Sequence, residues 1–455
     1  MRLFAISVRN LRTRVVSTVL TALSILLGTA LLAALWLLID QTNERYNAST
    51  AGYKAIVGPK EGAPLALVLN TVYNLGFTPG VVPFSVYREL HARGETRYVI
   101  PQARGDTYLG FPVIGTTDEM FTKFRRGEHG PLEFAAGKAF EFTHEQFDHL
   151  AEDLAAGRIE IGHHHHEGDA DHDHEPTQDH EHDHAAEMAA QRQAVIGAEV
   201  ARRGGMKVGD WITPVHGAED DPDPHVHEES KCEVVGVLAP TRTPLDSSIF
   251  IPLSVFLTMD KHEGAVRATG GDKQVALTAL IVDFKTHMGA NWLRHEFQTR
   301  ADAQAAWTTF EVTELMRMVG NATDVLRVVA WLVLVVAAVS IAVALYNTMN
   351  ERRREIAIMR ALGARRWQIM SIILVEAVLI AGIGAALGVV ACHGATWLWG
   401  DVVEARTGVF VSWAAFSREE LYLILGVAGL GGLAGVLPAV KGSRTQVADN
   451  LVPTS

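Results

Sequence analysis

Nine histidines fall between residues 163 and 184 of this 455-residue chain: His163, His164, His165, His166, His172, His174, His180, His182 and His184. Glu167, Asp169, Asp171, Asp173, Glu175, Asp179, Glu181 and Asp183 are interleaved with them, and no Lys or Arg interrupts the run. Neutral imidazole with carboxylate suits Zn(II), and also Ni(II) and Cu(II), whereas the lack of cysteine here disfavours Cu(I). A smaller group, His216, His225 and His227, stands beside Asp220, Asp221 and Asp223. Zinc typically takes four ligands, so the mobile histidines can supply several overlapping sets, and the acids raise the local cation concentration. The expected metal ligands are therefore the nine tract histidines helped by His216, His225 and His227, with Zn2+ as the ion. The tract has almost no apolar surface to bury, so it is expected to be disordered until metal orders it. A solvated acidic spacer would explain the aspartates but not so many histidines.

Other chemistry is missing. There is no Gly-x4-Gly-Lys-Ser/Thr loop and no Gly-x-Ser-x-Gly elbow. The run His144-Glu145 through His149 has a spacing that takes its second histidine off the helix face a zinc-protease motif requires. The chain is expected not to be an enzyme and to hold no intrinsic cofactor. A net charge of −12 argues against nucleic acid. Cys232 and Cys392 make no disulfide framework and are expected to be unpaired thiols.

The elements that must carry these residues begin at a membrane. Val16–Ile39, Val328–Asn350, Trp367–Val390 and Leu421–Val440 are apolar runs, each long enough for a hydrocarbon core of about 30 Å. The third contains one carboxylate, Glu376, which spacing puts two to three turns from the inner face. Arg2, Arg9, Arg12 and Arg14 precede the first run, and six arginines between 352 and 366 separate the second from the third. Lys441 and Arg444 follow the fourth. Basic flanks belong inside, so both termini are expected in the cytoplasm and residues 41 to about 325 outside it. Gly384-Ala-Ala-Leu-Gly388 and Gly431-Gly-Leu-Ala-Gly435 let helix backbones approach closely, either at a dimer seam or within one subunit.

The long polar region reads as α+β. Tyr98–Pro101, Phe111–Thr116, Cys232–Leu238, Ser248–Pro252 and Val275–Phe284 are β-prone. Pro83–Arg93, Thr117–Arg126, Thr143–Ala156 and Asp260–Val266 suit helices, and Asp302–Arg327 reads as a helical stalk. The expected division is an amphipathic helix and first span over 1–40, an outer α+β domain over 41–301 with a loop at 163–187, and a stalk over 302–327. Spans come next at 328–350, 367–400 and 421–440, with a cytoplasmic loop at 351–366, an outer loop at 401–420 and a tail at 441–455. The fold class is thus an α-helical membrane protein of four spans, arranged one plus three, with a large α+β extracytoplasmic domain.

The 351–366 loop carries the most specific pattern. Ile356, Met359 and Leu362 fall three apart among arginines, and Gly363 can stop the helix. Spacing alone would also fit a basic anchor lying on lipid. Joined to the first part of the third apolar run, the loop reads "RREIAIMRALGARRWQIMSIILVEAVLIAGIGAALG", which resembles the third-helix entry of the FtsX-like permease family, a family that includes the MacB-type ABC transporters. Arg352, Glu355, Ile356, Arg360, Ala361, Gly363 and Ala364 fit the family pattern in place. "NLRTRVVSTVLTALSILLG", "VIGAEVARRGGMKVGDWITP", "CEVVGVLAPTRTPLDSSIFIP" and "LPAVKGSRTQVADNL" are similar to further parts of the family, so the resemblance runs the length of the chain. It implies an inner-membrane dimer whose cytoplasmic loop docks on a separate ABC ATPase that holds the ATP. Arg352, Glu355, Ile356, Met359, Arg360, Leu362 and Gly363 would form that contact, and closure would move the outer domain. The His/Asp tract departs from common members and points to a periplasmic metal-binding protein or lipoprotein as client. Lipoprotein extraction, small-molecule efflux or control of a periplasmic hydrolase are the rival readings.

Overall fold

The computed structural model describes residues 15–50, 52–77, 79–126, 130–159, 191–216, 225–259, 262, 266–269, 272–351, 353–407, 412–414 and 416–444. The chain divides into two compact units, Arg45–Met316 and a second made of Met1–Glu44 with Arg317–Ser455.

In chain order the elements are α1 (Val15–Thr50), β1 (Ala55–Gly58), α2 (Pro64–Tyr73), β2 (Val82–Pro83), α3 (Phe84–Ala92), β3 (Thr96–Tyr108), β4 (Phe111–Thr116) and α4 (Glu119–Thr122). β5 (Phe134–Gly137), α5 (His144–Ala155), β6 (Gln193–Ile196), α6 (Ala198–Gly204), β7 (Trp211–Ile212), β8 (Val215–His216) and β9 (His225–Val226) come next. β10 (Cys232–Leu238), β11 (Ile249–Pro252), α7 (Leu253–Thr258), β12 (Val266–Thr269), β13 (Asp272–Leu277), β14 (Ala279–Phe284), α8 (His287–Thr299) and β15 (Gln304–Trp307) complete the first unit. α9 (Thr308–Glu351), α10 (Arg353–Ala361), α11 (Arg366–Thr407) and α12 (Arg418–Ser443) end the chain.

The first unit is α+β, as its alternating and continuous apolar runs require. Its main sheet has the order β15-β1-β14-β3-β4-β11-β6-β10-β5, and β8 pairs with β3 off that path. Most pairs are antiparallel, but β4–β11 and β6–β10 are parallel. β1, β11 and β14 are apolar almost throughout and buried at every position, as strands covered on both faces must be. α5 starts at a reciprocal cap, in which Gln146 N–H donates to Thr143 Oγ1 and Thr143 N–H donates to Gln146 Oε1. Arg104 on β3 fastens the end of α2: its guanidinium donates to the carbonyls of Asn70 and Thr71, each at 2.8 Å, and to Asn74 Oδ1 at 2.7 Å. Those carbonyls are helix-end acceptors that no further turn can satisfy.

The second unit contains four helices long and apolar enough to cross a membrane: Val19–Leu38, Asp324–Asn347, Arg366–Gly400 and Arg418–Ser443. Ile25, Leu32, Leu334, Ile341, Ile373, Ala377 and Ala381 face one another in its core, while Val336, Leu433 and Leu437 are exposed. The small-residue motifs pack within this one chain. A Cβ at Gly388 would lie 2.7 Å from Leu26 O, and one at Gly435 would lie 2.8 Å from Ala377 Cβ. Close approach of α11 to α1 and α12 therefore uses the surface that a dimer seam would have needed.

Several expected boundaries shift. The helix that begins the second span starts at Thr308, because Gln304–Trp307 pairs with β1 as an edge strand. The Asp302–Arg327 pattern is periodic enough for a helix, but the sheet edge recruits its first residues. α4 is a single turn rather than the longer helix expected over Thr117–Arg126. Helix forms before 260, as α7, and Val266 opens β12 instead of ending a helix. α11 runs on to Thr407, so 401–407 is helical rather than loop. Cys232 and Cys392 are both free and buried, as expected. Burial pushes the Cys232 thiol up to about 12, which leaves it inert at neutral pH.

Arg104→Met keeps the stem and removes the fork. The loss of charged hydrogen bonds to four acceptors, Gln102 Oε1 at 3.1 Å among them, should cost about 3 kcal/mol in denaturant unfolding. A cost below about 1 kcal/mol would show that water replaces the guanidinium without penalty.

Candidate functional site

Asp106, His216, His227 and His262 converge in the sheet unit, each offering one ligand atom, and these atoms lie within 4.8 Å of one another. β3 supplies Asp106 next to a bulge, where the register slips between Arg104 and Asp106. The slip breaks the two-residue alternation and lets Arg104 and Asp106, two apart, serve different partners. β8 then lies against β3 with His216 opposite Asp106. β9 pairs with β8, and His227 comes directly after it, its N–H donating to Pro214 O at 3.0 Å. His262 arrives from beyond α7, its backbone N–H donating to Met259 O at 3.2 Å.

The tautomer of His262 is fixed by its surroundings. Nδ1 lies 2.6 Å from Phe256 O. A carbonyl only accepts, so Nδ1 carries the proton and a neutral ring presents a bare lone pair at Nε2. That lone pair faces Asp106 Oδ1 at 3.2 Å and His216 Nδ1 at 3.3 Å. His216 Nδ1 is 3.0 Å from the same oxygen, and His227 Nε2 is 3.7 Å from Asp106 Oδ2. Metal bonds of about 2.1 Å in a tetrahedron place ligand atoms about 3.4 Å apart, which is the scale of these separations. A single proton on His216 Nδ1 can bridge to Asp106, but it cannot also serve His227. A divalent cation serves all four groups.

Electrostatics agree with a cation. The side chain of Asp106 is fully buried and those of His227 and His262 nearly so, whereas that of His216 is 45% exposed and gives a route in from solvent. Burial pushes the Asp106 carboxyl up, but a hydrogen bond from His216 and, when its ring is protonated, the Nε2–H and charge of His262 outweigh it. The carboxyl is held below its ordinary range and stays anionic at neutral pH. Three imidazoles and one carboxylate form a donor set for zinc or another borderline divalent metal, closed by four protein ligands.

Of the expected metal ligands, His216 and His227 are in this cluster. His225 lies in β9, but its side chain is outside the described residues, as is the whole run from His163 to His184. Sequence reasoning missed Asp106 and His262. Neither left a local signal: Asp106 lies between the β-prone runs Tyr98–Pro101 and Phe111–Thr116, in neither of them. A second group, His91, Glu119 and His144, also brings its ligand atoms within 4.8 Å.

The expected coupling residues divide. α10 buries Ile356 and Ala357 against Ile369 and Ile373, and Met359 packs on the same core. Gly363, at φ +97°, ends the helix: its N–H donates to Arg360 O and that of Ala364 to Met359 O, each at 3.0 Å. This double bond with a left-handed residue is the glycine stop. Leu362, just past the last helical turn, is 83% exposed, and Ile358 is exposed as well. The Ile356–Met359–Leu362 stripe therefore splits, with two residues inward and one outward. Arg360 is half-buried. Arg352 and the side chain of Glu355 lie outside the described residues.

Residues 327–447 match the family model described as FtsX-like permease C-terminal. Among curated proteins, the chain is similar to the macrolide export ATP-binding/permease protein MacB of several bacteria. The Bordetella avium protein is 27% identical over 275 residues, 58% of this chain and 40% of that one. The Burkholderia thailandensis protein is 25% identical over 224 residues, 48% of this chain and 33% of that one. Over each alignment the chain spans less than half the length of these relatives. Among solved structures, the periplasmic region of MacB from Actinobacillus actinomycetemcomitans is 11% identical, covering 58% of this chain and 94% of that one, with a TM-score of 0.30.

In the chain deleted of 163–184, Asp106→Asn and His262→Ala should each remove one tightly bound equivalent of zinc, measured by metal analysis after gel filtration. Because the ligand imidazoles must be neutral, binding should weaken as pH falls through ~6.5. Undiminished zinc in both variants would exclude this cluster as the metal centre.

Proposed function

We propose that this chain, whose residues 327–447 match the FtsX-like permease C-terminal model, is a permease subunit that turns ATP hydrolysis by a separate ABC ATPase into motion of its sheet domain. On this reading the protein lies in the inner membrane with both termini in the cytoplasm, the sheet domain in the periplasm and a second permease copy as partner. The basic flanks of the spans support that orientation. The transported or handled client is metal-linked, a periplasmic metal-binding protein or a metallated lipoprotein, and the pathway serves zinc homeostasis. One observation carries the metal linkage: three imidazoles and a buried carboxylate converge at ligand distances in the sheet domain. The histidine tract would add capacity above that centre. The relatives' printed name concerns macrolide export.

The ATPase contact falls on the residues that α10 leaves outside. Ile358 and Leu362 are exposed, with Arg365, Arg366 and half-exposed Trp367 beside them, whereas Ile356 and Met359 set the angle of the helix by packing inward. Gly363 fixes where the helix stops, and Arg360 lies in its last turn, where cationic charge is favoured.

Arg360→Glu combined with Leu362→Asp should abolish copurification of the permease with its ATPase from detergent while leaving zinc content unchanged. Retention of the ATPase by the double variant would remove this segment as the coupling element.

A further inference from the structure

A second group of ligating side chains lies in the sheet domain, away from Asp106, on the helices α3, α4 and α5. His91 Nε2 is 3.8 Å and His144 Nδ1 is 3.7 Å from Glu119 Oε1, and the two rings lie 4.5 Å apart with 34° between their planes. Three separate segments supply them: His91 in the last turn of α3, Glu119 at the start of α4 and His144 at the start of α5.

Glu119 is 2% exposed, and its Oε2 has no hydrogen-bond partner among the described residues. Asp148 Oδ1, one turn along α5 from His144, and the Tyr87 hydroxyl are also buried without one among those residues. Oxygen acceptors left in this state are costly unless a cation or water serves them. The resident cation is Lys123, whose ammonium donates to Glu119 Oε1 at 2.6 Å. It reaches only one of the two carboxylate oxygens, and its side chain is 46% exposed, free to swing into solvent on a flexible stem.

We infer that His91, Glu119 and His144 form a second divalent-cation site, exchangeable and open to solvent, whose ion competes with the Lys123 ammonium for Glu119. Two imidazoles and one carboxylate select a borderline ion, Zn(II), Co(II) or Ni(II), over Mg(II) or Ca(II), which prefer oxygen alone. Three protein ligands leave a position for water or for a donor from another molecule, as in open zinc sites. The side chains of His91 and His144 are 26% and 32% exposed, so that position faces solvent. The contrast with the Asp106 centre is one of ligand number: four convergent groups hold an ion, whereas three with a built-in competitor let it pass. Ligand separations of 3.7–3.8 Å need a contraction of a few tenths of an ångström, which partly exposed rings can provide.

The competitor makes the site testable apart from an ordinary ion pair. Co(II) is titrated into the full chain deleted of 163–184, with and without Asp106→Asn, and followed by visible absorption and calorimetry. The wild-type cluster should take one weaker equivalent that persists in Asp106→Asn. His91→Gln with His144→Gln should abolish that equivalent. Lys123→Met should tighten it by roughly tenfold, because one unit charge no longer competes at contact distance. Circular dichroism and the unchanged first equivalent verify that each variant is folded. If Lys123→Met leaves Co(II) binding unchanged or weakens it, or if the histidine pair can be replaced without loss, the group is only an ion pair with two neighbouring rings. Retention of the first equivalent in Asp106→Asn would instead count against the Asp106 centre and leave this site standing.

Discussion

A carboxylate that is fully buried must be compensated by positive charge, and Asp106 organises much of the sheet domain around that requirement. Its imidazole partners come from a hairpin more than a hundred residues later and from a loop beyond α7, so three segments meet at a single point. The bulge beside Asp106 is what makes this possible. It turns the carboxylate toward the hairpin while Arg104 turns toward the end of α2. One break in strand alternation thus places an anion and a cation, two residues apart, into different roles.

The candidate centre is also directed in its geometry. Phe256 O fixes the proton of His262 on Nδ1 and aims its other nitrogen at the carboxylate. Orientation by a backbone acceptor is how metal-binding imidazoles are commonly held. In the membrane unit, constraint comes from size instead of charge. Glycines at 388 and 435 allow α11, α1 and α12 to approach at backbone distance, and the inward residues of α10 pack on that core. Leu362 is left outside because Gly363 ends the helix one residue later.

The four apolar helices, the α+β character of the polar region and strands such as Phe111–Thr116 were legible in the sequence, because periodicity and length are local properties. Edges were less so. Gln304–Trp307 has a helical pattern and becomes a strand because β1 offers it hydrogen bonds, which no local pattern records. The histidine-rich tract drew attention by composition, and His216 and His227 were singled out beside it, but their partners Asp106 and His262 lie 110 and 46 residues from His216 and share no motif with it. Ligands brought together by sheet topology are invisible to spacing. In the 351–366 segment the three-residue stripe was visible in the sequence, but the glycine stop turned its last member outward.

The Asp106 centre is tested most directly by zinc K-edge absorption on the full chain deleted of 163–184, loaded with less than one equivalent of zinc. Four nitrogen or oxygen neighbours at about 2.0–2.1 Å are expected, with outer-shell scattering from three imidazoles and loss of one imidazole in His262→Ala. A six-coordinate, largely hydrated ion, or an imidazole count unchanged by His262→Ala, would contradict the assignment.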